Sequence, residues 1–176
     1  SLVFESDTDE LYDWLDPKML ENIIFNIVSN AFKVTAVHGF IKISLTALQK
    51  KEQFPLTGVA NEIPCFKIAV SDTGAGLDKK DIKKIFDRFY QVNNLSKAYY
   101  GSTGIGLEVV QGFVELHKGR IEVESELGTG STFTVTFPLG NSFFTENEIL
   151  KEKFKREGKI TPHLLSVLNK EEPSEP

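Results

Sequence analysis

Three asparagines and a lysine stand at helical spacing early in the chain. Asn22, Asn26 and Asn30 are four apart and Lys33 follows three later, so on an α-helix their side chains form one row, offset from the apolar stripe of the same segment. Asparagine is a poor helix former, up to about 0.7 kcal/mol worse than alanine per position, so the row opposes helix formation by roughly 2 kcal/mol. One such asparagine reads as a solvated position. An aligned set ending in lysine supplies amide oxygens suited to Mg²⁺ and an ammonium suited to phosphate. A second group, Asp72-Thr73-Gly74-Ala75-Gly76-Leu77, sets a carboxylate at the end of an apolar run beside glycines that let backbone approach a flat ligand. Such a carboxylate accepts a hydrogen bond from the exocyclic amine of adenine. Guanine would turn an acceptor toward it, and a buried unpaired acceptor costs about 1–3 kcal/mol. Taken alone, the same residues also read as a capping aspartate and two turn glycines. The third group is Gly101-Ser102-Thr103-Gly104-Ile105-Gly106-Leu107. It precedes a helical pattern, where free backbone N–H groups and the helix dipole favour a phosphate chain. It is not a P-loop, lacking Gly-Lys-Ser/Thr, nor a dinucleotide-binding turn, because no strand leads into it.

These groups need rigid elements beneath them. Asp16 as N-cap with Pro17 at the first helical position is a strong helix start. Leu20, Ile23, Ile24, Ile27, Val28 and Ala31 then recur at helical spacing and predict a helix of about four turns with one buried face. Before it, residues 2–6 and 11–15 are β-prone runs around the polar Asp7-Thr8-Asp9-Glu10, which predicts a hairpin. Alternation in Ile41, Ile43 and Leu45, and again in Phe66, Ile68 and Val70, predicts two strands separated by the polar stretch from Gln49 to Pro64. Asp78 caps a second predicted helix with Ile82, Ile85, Phe86 and Phe89 on its apolar side, and residues 91–103 read as a loop. A third helix opens at Gly104-Ile105-Gly106, buries Val109, Val110, Phe113 and Val114, and stops at Gly119. Arg120 to Glu126 and Ser131 to Phe137 alternate around Leu127-Gly128-Thr129-Gly130 as a hairpin. Strands interleaved with three helices and a closing hairpin predict a two-layer α/β sandwich. Residues 141–157 read as a weak amphipathic helix within a linker or tail, 140–176, that ends polar and proline-rich.

The 176 residues, 40% of them apolar, suffice for one sizeable core. Lys and Arg number 20 against 25 Asp and Glu, a net charge of -5. With no long basic run, a broad electrostatic footprint for nucleic acid is missing. A single cysteine, Cys65, excludes an internal disulfide and a cysteine-based zinc site and points to a reducing compartment. No stretch approaches the ~20 apolar residues of a membrane span, and the first residues lack a basic start and an apolar signal core. We therefore expect a soluble domain without membrane contact, and a first residue other than Met suggests a segment of a longer protein.

Taken in order, these stretches resemble the ATP-binding catalytic domain of sensor histidine kinases in the GHKL superfamily. The family's N box is matched by "NIIFNIVSNAFKVT", its first glycine box by "DTGAGL", its phenylalanine box by "FDRFYQ" and its second glycine box by "GSTGIGL". Its closing helix and hairpin are matched by "VELHKGRIEVESELGTGSTFTVTFPL". The likeness covers residues 1–139 and implies the Bergerat ATP-binding fold, a mixed sheet covered on one face by three helices. It implies that Asn30 supplies the Mg²⁺ ligand, with Asn26 beside it in the nucleotide pocket and Lys33 near the phosphates. Asp72 would read the adenine amine, while Gly74 and Gly76 shape the base pocket. Gly101, Thr103, Gly104 and Gly106 would frame the triphosphate of ATP, with Ser102, Ile105 and Leu107 in the same cofactor-binding stretch, under a lid of about residues 91–103. Phe86 and Phe89 would anchor that lid; as core residues of the second helix they have an equally ordinary reading.

The resemblance further implies transfer of the γ-phosphate to a histidine on a separate helical dimerisation domain of the same protein, and then to the aspartate of a response-regulator receiver domain. The parent would be a cytoplasmic-facing homodimer anchored in a bacterial inner membrane, with a receiver following in the same chain if the kinase is a hybrid. Two features depart from the superfamily pattern. ATP-hydrolysing branches place a water-activating Glu where this chain has Asn22, which cannot act as a base; that favours transfer over hydrolysis. His38, His117 and His163 are not followed by Glu or Asp as the phosphoacceptor is, and His117 matches an ordinary position of the closing helix. Three other readings stay open at this stage: a nucleotide-sensing module without transfer, a serine kinase of the anti-sigma type, and an aspartic protease suggested by "VSDTGA".

Overall fold

The computed structural model describes residues 1–92 and 103–149. Five strands form one sheet in the order β1-β2-β3-β5-β4: β1 is Leu2–Ser6, β2 Ile41–Glu52, β3 Ile63–Asp72, β4 Arg120–Glu126 and β5 Gly130–Pro138. The β1–β2 pair is parallel and the other three pairs are antiparallel, so the sheet is mixed. Helices α1 (Pro17–Val34), α2 (Lys79–Ile82) and α3 (Gly106–Leu116) accompany it. The core lies between sheet and helices: Ile23, Ile27 and Ala31 of α1 and Val110 and Val114 of α3 meet Ile41, Phe66, Val70, Val135 and Phe137 of the strands. The α/β two-layer sandwich expected from the order of elements is what forms.

The first helix follows its sequence signals. The Asp16 carboxylate accepts from the N–H groups of Lys18 and Met19 at 2.8 and 3.1 Å, which satisfies two donors that the helix start leaves open, while Pro17 has no N–H to satisfy. The predicted first hairpin does not form. Residues 11–15 carry no strand pairing, and β1 instead runs parallel to β2 with Leu2 opposite Ile41 and Phe4 opposite Ile43. The reason is local: Asp7 turns its carboxylate to Ala47 N–H at 2.8 Å, so the chain stays tied to β2 where a hairpin would reverse it. Leu11 and Leu15 then pack on the core from extended backbone.

The second predicted helix is one turn long. Asp78 caps it through Lys80 N–H at 3.0 Å, but successive turns follow, and Phe89 takes a left-handed φ of 64° and is 65% exposed. In α3 the expected Val110, Val114 and part of Phe113 are buried, while Val109 is half-buried. The left-handed residue that ends this helix is Lys118 (φ 58°), not the expected Gly119. His117, just before it, is buried: its Nε2 accepts from Asp16 N–H at 3.0 Å, and its Nδ1 lies 2.7 Å from the carbonyl of Phe113. The structural reading of His117 holds, since it fastens the end of α3 to the start of α1.

Two segments that read as polar connections carry structure. The stretch after β2 bends at Pro55–Thr57 and returns over the outer face of the sheet, burying Phe54, Cys65 and Thr136. Arg120 covers this second, small core. Its guanidinium lies 5.3 Å from the Phe54 ring and pairs with Glu52, whose other oxygen meets Lys67 at 3.2 Å. Burial pushes the Glu52 carboxyl up, but the Arg120 and Lys67 hydrogen bonds outweigh it and hold the group below its ordinary value. Residues 141–149 form turns where an amphipathic helix was expected; the rest of that prediction, from residue 150, lies outside the described residues. This segment is fastened to the body: Gly140 N–H donates to Asp13 at 2.8 Å, Phe143 is buried, and Lys118 meets Glu148 at 2.7 Å. Glu148 also accepts from the N–H and hydroxyl of Thr145 at 2.8 and 2.9 Å, and together with Lys118 these hold its carboxyl down to about 2.

The outer core can be tested from both sides. Phe54→Ala should lower unfolding free energy by about 3–5 kcal/mol, the ordinary cost of emptying a buried aromatic site, in urea denaturation. Thr136→Val should raise it by about 1 kcal/mol: the Thr136 hydroxyl is buried with no partner among the described residues, and an isosteric methyl removes a desolvated donor without leaving a cavity.

Candidate functional site

One cleft of about 400 Å³ opens beside α1, and its walls draw on all three sequence groups. From α1 come Asn26, Asn30 and Lys33; Asn22 lies exposed on the same side but outside the lining. The amide nitrogens of Asn22 and Asn26 each donate to the carbonyl four residues back, at 2.8 Å. This back-bonding uses one N–H of each amide and leaves the amide oxygens available as acceptors. Asn26 Oδ1 faces the start of α3 so closely that a Cβ on Gly106 would lie 2.7 Å from it.

The second wall comes from the loop after β3. Asp72 ends that strand, is 7% exposed, and accepts from Gly74 N–H at 2.8 Å. Burial pushes the Asp72 carboxyl above its ordinary range, against the N–H groups of Gly74 and Ser131, which pull it down. Gly74 lies behind the wall: a Cβ there would meet Val34 Cγ2 at 2.6 Å, so it sets how closely the loop sits on α1. Gly76 and Gly130 let this loop and the β4–β5 turn touch through backbone. A Cβ on Gly76 would lie 2.0 Å from Glu126 O, and one on Gly130 would lie 2.0 Å from Asp72 O. The contact is bonded by Gly128 N–H to Ala75 O at 2.7 Å and by Leu77 N–H to Ser125 Oγ at 2.8 Å.

The third wall is the start of α3. Thr103, Gly104, Gly106 and Leu107 line the cleft, and Ile105 is the residue preceding the helix. Gly101 and Ser102 lie outside the described residues, as does the expected lid apart from residues 91, 92 and 103. Gly104 (φ 68°) accepts Phe89 N–H at 2.9 Å, and a Cβ on it would lie 2.8 Å from Phe89 C. Of the two expected phenylalanine anchors, Phe86 packs on the core and Phe89 points to solvent. Sequence reading missed Tyr90, Ser131 and Phe133 in the lining. Tyr90 is the fifth residue of the matched phenylalanine box, which was a signal; Ser131 and Phe133 enter only because β5 pairs with β3, placing Ser131 opposite Asp72.

An adenine nucleotide fits this donor set. A buried acceptor stands at one end, amide oxygens and an exposed ammonium along one side, and the N-terminal N–H groups of α3 on the other. No group of three or more His, Cys, Asp or Glu side chains that could cage a metal occurs among the described residues. Asp72 is the one carboxylate in the described lining, so the paired carboxylates of an aspartic protease are not assembled here.

Residues 15–141 match the family described as histidine kinase-, DNA gyrase B-, and HSP90-like ATPase. The autoinducer 2 sensor kinase/phosphatase LuxQ of Vibrio vulnificus (strain YJ016) is 41% identical over 124 residues, 70% of this chain and 13% of its own length. Histidine kinase P4 of Formosa agariphila is 31% identical over 167 residues, 93% of this chain and 11% of its own. The chain thus spans only about an eighth of these relatives. Among solved structures, the nucleotide-free catalytic domain of histidine kinase ThkA superposes with a TM-score of 0.61 at 22% identity, covering 78% of this chain and 79% of that one. ThkA in complex with the response regulator TrrA gives 0.58 at 21% identity, covering 79% of this chain and 34% of that one. These two likenesses concern the fold.

Two outcomes follow from the geometry. Gly76→Ala should lower stability by more than about 1 kcal/mol, since alanine must adopt a left-handed φ and also displace Glu126; chemical denaturation reads it. Because the folded Asp72 carboxyl titrates above its unfolded value, its stabilising contribution is full below the unfolded value and is lost as pH rises through the folded one. Affinity for an adenine nucleotide should run the opposite way, falling as pH drops through the region just above the ordinary carboxylate range. The difference between wild-type and Asp72→Asn calorimetric titrations across that window isolates the effect.

Proposed function

We propose, since this chain belongs to the histidine kinase-, DNA gyrase B-, and HSP90-like ATPase family, that it binds Mg²⁺-ATP and presents the γ-phosphate to a histidine on a separate helical domain. The observation that carries the reading is the convergence of Asn26, Asn30, Lys33, Asp72, Gly76, Thr103, Gly104 and Gly106 on one cleft. Phosphoryl transfer needs positioning and charge neutralisation more than covalent help from the protein. Asp72 would accept the adenine amine and fix the base end. Asn30, on a rigid helix, would hold Mg²⁺, which supplies neutralisation of phosphate charge. Lys33 and the α3 N-terminus would bind phosphate oxygens, with Gly101 and Ser102 continuing that stretch.

Transfer is favoured over hydrolysis. The position at which hydrolysing relatives carry a general base is Asn22, exposed and bonded through its amide to Lys18 O at 2.8 Å. The acceptor histidine would come from elsewhere, because His117 is buried and both ring nitrogens have protein partners. LuxQ is named a sensor kinase/phosphatase, and ThkA is seen with a response regulator. By analogy, a receiver aspartate would be the next acceptor here, whether in a hybrid chain or a separate protein. No helix among the described residues is long and apolar enough to cross a membrane. In our reading the domain works on the cytoplasmic side of a homodimeric, membrane-anchored parent, with residues 1–139 as catalytic domain and 140–176 as a linker or tail whose first residues, 140–149, stay fastened to that domain.

Calorimetry with a non-hydrolysable ATP analogue should show Mg²⁺-dependent binding, a preference over the GTP analogue, and at least about tenfold weaker affinity in Asp72→Asn, equivalent to 1.4 kcal/mol. With ATP and the longer parent protein, acid-labile phosphate should appear on histidine. Phosphoserine on a partner would replace this reading with a serine kinase, and binding without any transfer would leave a nucleotide-sensing module.

A further inference from the structure

Asp81 sits in a segment that reads as charged surface, between Lys79, Lys80, Lys83 and Lys84. It is nevertheless only 6% exposed. Among the described residues its carboxylate pairs with none of those lysines; Lys80 reaches Asp78 instead, at 3.8 Å. Its side-chain partner is Tyr90, whose hydroxyl donates to Asp81 Oδ1 at 2.7 Å. A hydrogen bond from a neutral donor to a buried carboxylate is among the stronger kinds and has a narrow geometry.

Tyr90 is held at both ends. Its backbone N–H donates to Asp87 O at 3.1 Å, and the neighbouring Phe89 N–H donates to Gly104 O at 2.9 Å. The far end of its ring is fixed by Asp81, and Lys84 Nζ stands 6.0 Å from the ring centre. The bond to Asp81 also resists ionisation of the phenol, pushing it above its ordinary value. Tyr90 lines the cleft, as Ile85 and Leu77 do. A flat aromatic group locked in one orientation at a cleft wall suits a flat ligand group, and the locking removes an ordering cost that binding would otherwise carry.

We propose that Asp81 is a positioning residue for nucleotide binding, acting through Tyr90 to hold its ring where the nucleoside part of the ligand rests. This depends on the nucleotide reading of the cleft, and it concerns a residue that touches no ligand itself. The alternative role for Asp81 is purely structural, as the buried acceptor that ends the short α2 turn.

The two roles separate in a double-mutant cycle read by calorimetric titration of the non-hydrolysable ATP analogue, with inorganic tripolyphosphate as a second probe and thermal melts as a fold check. Tyr90→Phe keeps the ring and loses only the hydroxyl; it should weaken the analogue about 3- to 10-fold. Asp81→Asn should do the same, and the double variant should be no weaker than the worse single variant, because both act through one bond. Tripolyphosphate affinity should be unchanged. A Tyr90→Phe protein that binds the analogue like wild type overturns the proposal, as do additive losses or equal losses for tripolyphosphate. If Asp81→Asn fails to fold, Tyr90→Phe alone decides. A wild-type protein that binds neither probe would instead remove the nucleotide reading itself, an outcome distinct from all of these.

Discussion

The cleft exists because two loops that are distant in the sequence, one after β3 and one between β4 and β5, touch backbone to backbone. The turn between β4 and β5 bonds to the loop after β3 through Gly128 N–H and Ala75 O, and there is no room for side-chain atoms between them at Gly76 or Gly130. This contact fixes where β3 ends and therefore where Asp72 points. It also closes one end of the cleft, so that the remaining walls have a definite distance to span. Hydrogen bonds of this kind contribute only about 1 kcal/mol each; their effect here is geometric, since they let a carboxylate be buried at a chosen place with its own N–H donors supplied.

Helix α1 does two jobs with two stripes. Its apolar stripe, from Ile23 to Ala31, is buried in the core, and that burial, at roughly 25 cal/mol per Å² of apolar surface, outweighs the helix penalty of the asparagine row. The polar stripe can then be spent on function, because the helix does not depend on it for stability. Helix α3 complements this arrangement. Its start lies close against Asn26, midway along α1, and its end is fastened by His117 to the N-cap of α1.

Much of this was legible in the sequence wherever a signal is local. The cap and periodicity of α1, the alternation of β2 through β5 and the three chemical groups each involve residues within a few positions of one another. What was not legible depends on distant partners. The first hairpin failed because Asp7 is engaged by β2, forty residues on. The second helix stops after a turn, and the turns that follow lead to Phe89, which meets Gly104 with both residues in left-handed conformations that no helical spacing encodes. Phe54 lies in a stretch that reads as polar linker, and its burial is visible only once Arg120 and Glu52 are brought over it. Ser131 enters the cleft solely through its register with Asp72.

The fastening of residues 11–16 and 140–149 to one place has a mechanical side. Asp13 holds Gly140, His117 holds Asp16, and Lys118 holds Glu148. All three ties lie at or beside the C-terminal end of α3, whose 11 residues make a rod about 16 Å long at 1.5 Å per residue. The other end of that rod is a wall of the cleft. A load applied to the chain beyond residue 149 is therefore borne first at the far tip of a stiff strut, and the loops that surround the cleft are spared it.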